Sequence, residues 1–212
     1  GREIEETVLR PHIAVEHQLH LHPADLLRQV DSLQQHIAQG LPNLPAKELA
    51  QPLLRRLTEL NFHEDDEQPL RPQAALVNLL LQRRRGQPLT LALLALELAR
   101  RLEIPLQGVN FPGHFLLRVP GADHLLDPCS GRRLYGARTE LSASHLLPCD
   151  ARSMLQRLSR NLRHLHQQAD EPLAALRDAE RVLLLGTANL HDHLARADIY
   201  QQLDCPQGER FD

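Results

Sequence analysis

His114 and Asp127 are the two residues whose types and spacing could do chemistry together. Residues 111–118 read Phe-Pro-Gly-His-Phe-Leu-Leu-Arg, and residues 125–128 read Leu-Leu-Asp-Pro. Both runs have the apolar, turn-bounded character of short β-strands, so a histidine and an aspartate lie on neighbouring strands. An aspartate that orients a histidine provides two of the three groups of a hydrolase triad.

The strand register decides whether these two side chains can meet. We predict that residues 120–123, Pro-Gly-Ala-Asp, turn between antiparallel strands in the register that places Leu116 opposite Asp127. His114 is then diagonal to Asp127 on one face, with Cα atoms about 7–8 Å apart. The alternative is that His114 caps one turn and Asp127 begins another, which are common structural roles.

Two residues could act as the nucleophile. Thr90, in the first turn of a predicted helix, could face His114, although an early-helix threonine usually bonds nearby backbone. Cys129 would lie directly opposite His114 if the strand pairing continued, and an adjacent imidazolium would lower its thiol pKa. Alternatively, Cys129 is a small apolar core residue. We expect Cys149 and Cys205 to be structural.

A series of amphipathic segments surrounds these strands. Apolar spacing predicts a helix that begins near Pro23 and ends at Gly40, and further helices over 46–60, 72–81 and 88–102. From Ser153 onward the chain is again predicted to be helical, first with apolar residues through Leu165 and then over 173–185 and 189–203. Strands are predicted at 106–111, 114–119 and 124–127.

The helix after Pro88 is almost entirely leucine and alanine, which predicts a central, buried helix. Its polar residues Thr90, Glu97 and Arg101 share one stripe, and we expect Glu97 to pair with Arg101 at i,i+4.

Composition excludes several classes of function. The chain has 42% apolar residues, 3% aromatic residues and no tryptophan, which favours a leucine- and alanine-rich helical core. A net charge of −3 with a single lysine, Lys47, gives no basic surface for nucleic acid. Three cysteines without CxxC spacing predict neither a disulfide framework nor a zinc site, and favour a reducing cytoplasm. The sequence also shows no membrane span and no signal pattern.

Other polar clusters give weaker signals. The histidines at 12, 17, 20 and 22 lack a carboxylate at ligand spacing, so we predict no metal site. The run 191–193, His-Asp-His, fits a solvated helix start as well as it fits a metal-type cluster. Arginines 83–85 could bind phosphate, but arginines after a helix more often satisfy its last carbonyls and nearby acids, here residues 64–66.

Three stretches together resemble the SirB-type transglutaminase-like family: 83–91, Arg-Arg-Arg-Gly-Gln-Pro-Leu-Thr-Leu; 99–115, which ends in Asn-Phe-Pro-Gly-His-Phe; and 127–128, Asp-Pro. The resemblance covers about 60–135 strongly and the flanking helices weakly. It implies a papain-like core in which a central helix packs on an antiparallel sheet, with His114 and Asp127 at the family's His and Asp positions.

Departures from the family's catalytic pattern are equally informative. The transglutaminase nucleophile position falls near Pro88, where no thiol is present. Cys129 also replaces a residue that relatives tend to have as phenylalanine. The last helices have the alanine, leucine and tyrosine placement of a tetratricopeptide-like pair.

We therefore expect an α+β, predominantly helical protein: an N-terminal helical segment (1–70), a transglutaminase-like core (71–150) and a tetratricopeptide-like segment (151–212).

The expected function is a non-catalytic, cytoplasmic scaffold for a protein or peptide partner, without cofactor, metal, membrane or nucleic acid. The candidate ligand cleft comprises Arg85, Gly86, Asn110 and Gly113. The alternative is an amide hydrolase or acyltransferase that uses Thr90 or Cys129 with the His114–Asp127 pair. The sequence leaves the oligomeric state open.

Overall fold

The structure is a computed structural model that describes residues 23–111, 113–134 and 147–204. Its helices in chain order are α1 (Pro23–Gly40), α2 (Ala50–Glu59), α3 (Val77–Arg83), α4 (Pro88–Arg101), α5 (Ala151–Gln168), α6 (Pro172–Leu185) and α7 (Leu190–Gln202). Its strands are β1 (His63–Glu64), β2 (Arg85–Gly86), β3 (Gln107–Phe111), β4 (His114–Arg118), β5 (Leu125–Leu126), β6 (Arg133–Leu134) and β7 (Pro148–Cys149).

The chain divides into two compact units. Of the described residues, the first takes those up to Asp65 and from Leu76 to Cys149, and the second takes Asp66–Ala75 and those from Asp150 onward. The segment 66–75 therefore belongs with the C-terminal helices, although it precedes α3 in sequence.

Helix α4 is the centre of the first unit. Pro88 occupies its first turn, where a missing N–H costs nothing, and ten of its residues are buried. It contacts α1, α2, α3, β1, β3 and β4, as expected for a helix that is apolar almost all round. Glu97 is buried and accepts a 2.6 Å hydrogen bond from Arg101, which confirms the predicted pair.

The antiparallel sheet of the first unit has the strand order β6-β5-β4-β3-β7. Leu117 pairs with Leu126 between β4 and β5, which is the register counted from the sequence. Val109, Leu116 and Leu125 form a buried cluster on one face of this sheet, with Phe111 and Leu134 packed against it. His114 has the same strand parity as Leu116 and therefore lies on this face.

A second, parallel pairing was not visible in the sequence. His63 pairs with Arg85 and Glu64 pairs with Gly86, so β1 and β2 form a two-stranded sheet directly before α4. Two-residue strands leave no alternation in the sequence, which explains why the pattern did not reveal them.

Two predicted helices are shorter than their apolar spacing indicated. The first turn of 46–60 is a 3-10 turn at Ala46–Glu48, and the α-helix begins at Ala50. The segment 72–81 is likewise a 3-10 turn at Pro72–Ala75, followed by an extended Leu76 and then α3. Apolar spacing of three and four suits both helix types, so it could not separate them.

The second unit contains α5, α6 and α7, with consecutive helices packed on each other, and the turn Pro72–Ala75 against α5. Asp150 caps α5 by accepting a 2.7 Å bond from the backbone N–H of Ser153. Helix α7 begins with a capping box between Asn189 and Asp192. The tetratricopeptide-like character of these helices stays a prediction.

None of the helices in the described ranges combines the length and the apolar character that a bilayer crossing requires.

Candidate functional site

His114 is exposed at the first position of β4, opposite Phe111. The hairpin turn between β3 and β4 brings Gly113 to φ +74°, a left-handed conformation that suits glycine. No hydrogen bond or ion pair joins the His114 side chain to any other residue of the described ranges. The imidazole is therefore open to solvent and is not held in one orientation by a carboxylate there.

Asp127 makes local bonds to its own turn. One carboxylate oxygen accepts a 3.0 Å hydrogen bond from the backbone N–H of Cys129, and the other accepts a short bond from the Ser130 hydroxyl. The Asp127 carbonyl also accepts from the N–H of Gly131 at 2.8 Å. These contacts are those of an aspartate that begins a turn, the structural alternative weighed from the sequence.

Cys129 lies in the turn between β5 and β6, because the pairing of β5 with β4 ends at Leu126. The expectation that continued pairing would place Cys129 opposite His114 is therefore wrong. Its carbonyl accepts a 3.4 Å bond from the Thr58 hydroxyl of α2. The pKa of the Cys129 thiol is raised well above its usual range. Burial is the larger cause, and the nearby Asp127 carboxylate is the next. At neutral pH this thiol is protonated, the opposite of an activated nucleophile.

Thr90 is completely buried in the first turn of α4. Its hydroxyl oxygen has no hydrogen-bond partner within the described ranges, so the expected bond to nearby backbone is not made. Thr90, Glu97 and Arg101 share one stripe of the helix, and Arg101 reaches Asp31 of α1. Among the described residues, only the Arg101 end of this stripe is bonded to α1, and the fully buried Thr90 hydroxyl contrasts with the exposed imidazole of His114.

The four predicted cleft residues lie on two elements of the first unit. Arg85 and Gly86 form β2, whereas Asn110 and Gly113 belong to the β3–β4 hairpin. The Arg85 guanidinium donates to the carbonyls of Asn61 at 2.7 Å and Arg84 at 2.9 Å. That they line a single cleft stays a prediction.

The arginines at 83–85 pair with a nearby acid, as predicted, but Arg84 and Arg85 bond the carbonyls of Leu60 and Asn61 after α2, and at the end of the preceding helix only that of Arg84. Arg83 pairs with Asp65 at 2.9 Å. Arg84 ends α3 in the left-handed conformation, with φ 58°, and its guanidinium donates to the Leu60 carbonyl at 2.5 Å. That guanidinium also lies 4.8 Å from the centre of the Phe62 ring.

In the described ranges, no group of three or more His, Cys, Asp or Glu side chains is arranged to hold a metal ion. The histidines at 12, 17, 20 and 22, and Cys205, lie outside those ranges.

Asp192 overturns the interpretation of 191–193 as a solvated helix start. The residue is 1% exposed, and its carboxylate accepts bonds of 2.8 and 2.7 Å from Arg160. The backbone N–H of Asn189 donates to it at 3.0 Å, and Arg163 is 3.5 Å away. The hydrogen bonds from Arg160 are the main reason that the pKa of Asp192 is lowered to about 2. Only the capping-box spacing of Asn189 and Asp192 could have indicated this role from the sequence.

Asp178 is a second buried carboxylate of the same unit. It lies 2.6 Å from the ring Nδ1 of His166 and accepts a 2.7 Å bond from Arg181. Burial lowers the pKa of the neighbouring Arg163 despite the attraction of Asp192 and Asp178. These charges lie on α5, α6 and α7 and tie the three helices together, which is a structural role.

Comparison with known proteins covers most of the chain. A family model described as the transglutaminase-like superfamily matches residues 24–160. A UPF0162 protein of Pseudomonas aeruginosa is 56% identical over 213 residues, which cover 94% of this chain and 79% of that protein. A UPF0162 protein of Xylella fastidiosa is 34% identical over 172 residues, covering 73% of this chain and 61% of the relative.

A shorter match extends to a eukaryotic protein. F-box only protein 21 of Homo sapiens is 58% identical over 38 residues, which are 18% of this chain and 6% of that protein. No solved structure matches the chain. The family model covers more than half of the sequence, and the central helix with its antiparallel sheet agrees with it, so the chain belongs to the transglutaminase-like superfamily.

Proposed function

We propose that this chain is a non-catalytic member of the superfamily that acts in the cytoplasm as a scaffold for a protein or peptide partner. The observation that carries the proposal is that each group that catalysis would need is bonded locally, fully buried or without a bonded partner in the described ranges. His114 is exposed, the Asp127 carboxylate is bonded to its own turn, and Thr90 is fully buried. A nucleophile must be within hydrogen-bond reach of its base, and the base within reach of its orienting group.

The Cys129 thiol supports the same proposal. An acyl-transfer nucleophile needs thiolate at neutral pH, whereas burial and Asp127 raise the pKa of this thiol. The alternative function, an amide hydrolase or acyltransferase, would need the Thr90 hydroxyl or the Cys129 thiol to form a hydrogen bond with His114, and neither bond is present in the described ranges.

The last two helices provide a surface suited to a partner. Leu173 and Leu184 are 60% and 78% exposed and share one stripe of α6, since eleven positions are about three helical turns. Leu190 and Leu194, 72% and 51% exposed, are one turn apart on α7. Contiguous exposed apolar patches mark interaction sites, and the proposal is that these leucines belong to one. We include in the proposal that the chain is of the SirB type and that α6 and α7 form a tetratricopeptide-like tail. An exposed apolar surface on these helices fits that assignment.

Thiol reactivity tests the non-catalytic half of the proposal. Iodoacetamide labelling at pH 7.5, followed residue by residue with mass spectrometry, should show Cys129 reacting no faster than an ordinary protein thiol. Substitution of His114→Ala should leave its rate unchanged. Fast labelling of Cys129 that disappears in His114→Ala would contradict the proposal and favour the enzyme.

Affinity capture tests the scaffold half. Proteins retained by the full chain from native cytoplasm should be lost with Leu190→Glu combined with Leu194→Glu. The matched control is Leu44→Glu, since Leu44 is a 43% exposed leucine of the first unit. Retention of the same proteins by the α7 variant would exclude this surface as the binding site.

A further inference from the structure

A cleft in the first unit has the composition of a small-ligand site. It has a volume of about 360 Å³ and lies between α1 on one side and α3 with the segment after α2 on the other. The side chains that line it include Gln29, Ser32, His36, Phe62, Leu81 and Arg84. Its size falls at the low end of the range of about 300–1,000 Å³ typical of ligand pockets.

The walls of the cleft differ in chemistry. Helix α1 contributes amide, hydroxyl and imidazole groups from Gln29, Ser32 and His36, all of which are exposed. The opposite wall contributes the buried Phe62 and the partly buried Leu81. A ligand with a polar end and an apolar end would therefore match both walls.

Arg84 provides the only permanent charge of the lining residues, and none of the lining residues is an acid. Its Nη1 donates to the Leu60 carbonyl, and its guanidinium plane lies over Phe62. Within the described ranges no carboxylate pairs with it, in contrast to Arg83, which is bound to Asp65. A guanidinium has five N–H donors in a fixed plane, so donors remain for a ligand, and its contacts with Leu60 and Phe62 hold it in place.

We propose that this cleft binds a small carboxylate that carries a short apolar tail. The carboxylate pairs with Arg84, for which two parallel N–H···O bonds are the favoured geometry. The tail lies against Leu33, Leu60 and Leu81, and the polar groups of α1 bond the outer carboxylate oxygen. This site is independent of the scaffold surface on α6 and α7, so either proposal can fail alone.

Matched probes test the chemistry of the ligand. Hexanoate and 3-phenylpropionate, titrated against the intact chain and followed by ligand-observed NMR, should bind at least about tenfold more tightly than hexanol and 3-phenylpropanol. Inorganic phosphate, which lacks the tail, should bind more weakly than either carboxylate. Equal affinity for the alcohols, or no saturable binding of either carboxylate up to 20 mM (about 20-fold above a millimolar Kd), would overturn the proposal.

Matched variants test the location. Arg84→Asn keeps a side chain that tolerates the left-handed backbone and should weaken hexanoate binding about tenfold or more. Ser32→Trp fills the cleft from the exposed side of α1 and should abolish binding without disturbing the core. Arg55→Gln removes an exposed arginine of α2 and should leave the affinity unchanged.

Thermal unfolding of each variant separates lost binding from lost folding. If Arg84→Asn fails to fold, Ser32→Trp still decides the location, because Ser32 is exposed. Unchanged hexanoate affinity in a folded Ser32→Trp protein would place the binding elsewhere and overturn the proposal.

Discussion

The Asp192 carboxylate of α7 accepts two hydrogen bonds, of 2.8 and 2.7 Å, from the Arg160 guanidinium of α5. The two residues are 32 positions apart in sequence, and Asp192 is almost completely buried. This bidentate pair also supports the first turn of α7, because the same carboxylate accepts the N–H of Asn189.

We expect Asp192→Ala to lower the free energy of unfolding by about 3 kcal/mol, because it leaves Arg160 and Arg163 without their buried partner. Urea denaturation followed by circular dichroism measures the effect. Asp198→Ala is the matched control on the same helix, since Asp198 is exposed, and it should change stability by less than about 0.5 kcal/mol. Equal effects of the two substitutions would show that the pair adds nothing.

The lowered pKa of Asp192 predicts an acid dependence of stability. Its folded-state pKa of about 2 lies below the value of about 3.9 expected in the unfolded chain. The unfolded state therefore takes up the proton first as the pH falls. The stabilisation is complete above about pH 4 and is lost as the pH falls toward about 2. Unfolding free energies measured across this range should fall less steeply in Asp192→Asn than in the unsubstituted chain, whereas Asp198→Asn should keep the original slope.

Gly131→Ala should destabilise the first unit by about 2 kcal/mol or more. Gly131 has φ +68°, and an added Cβ would lie 2.9 Å from Cβ of Leu54 and 3.3 Å from the backbone N of Arg55. Gly121→Ala is an informative control, since Gly121 has φ +83° but no atom within 4 Å of the added Cβ. It should cost only the backbone strain, about 1 kcal/mol. Equal melting temperatures for the two variants would contradict the steric contribution.

Thr90→Val should leave stability unchanged or raise it by about 1 kcal/mol, because the buried hydroxyl that it removes has no partner in the described ranges. Thr58→Val is the matched substitution with the opposite expectation. The Thr58 hydroxyl bonds the carbonyls of Leu54 and Cys129, so its loss should cost about 1 kcal/mol. A large loss of stability in Thr90→Val would show that this hydroxyl is bonded in the folded protein.

The sequence predicted the parts of the fold that depend on local rules. The turn at 120–123 determined the register of Leu117 with Leu126, and Pro88 located the start of the central helix. The environment of Asp192 could not be predicted in this way, because a carboxylate between two histidines is typical of a solvated turn and its partner is far away in sequence. Cys129 was misplaced for a related reason: strand counting cannot show where a ladder ends and a turn begins.

The contacts of Asp127 give an aspartate at this position a structural explanation. Both oxygens of its carboxylate bond groups within the next three residues, so the side chain is useful for closing a turn whether or not a reaction takes place nearby. An aspartate at this position is therefore poor evidence for hydrolase activity when such sequences are classified. Introducing a thiol at the start of α4 by mutagenesis would also leave the Asp127 carboxylate bonded to Cys129 and Ser130 rather than to His114 until the turn at 127–131 was redesigned.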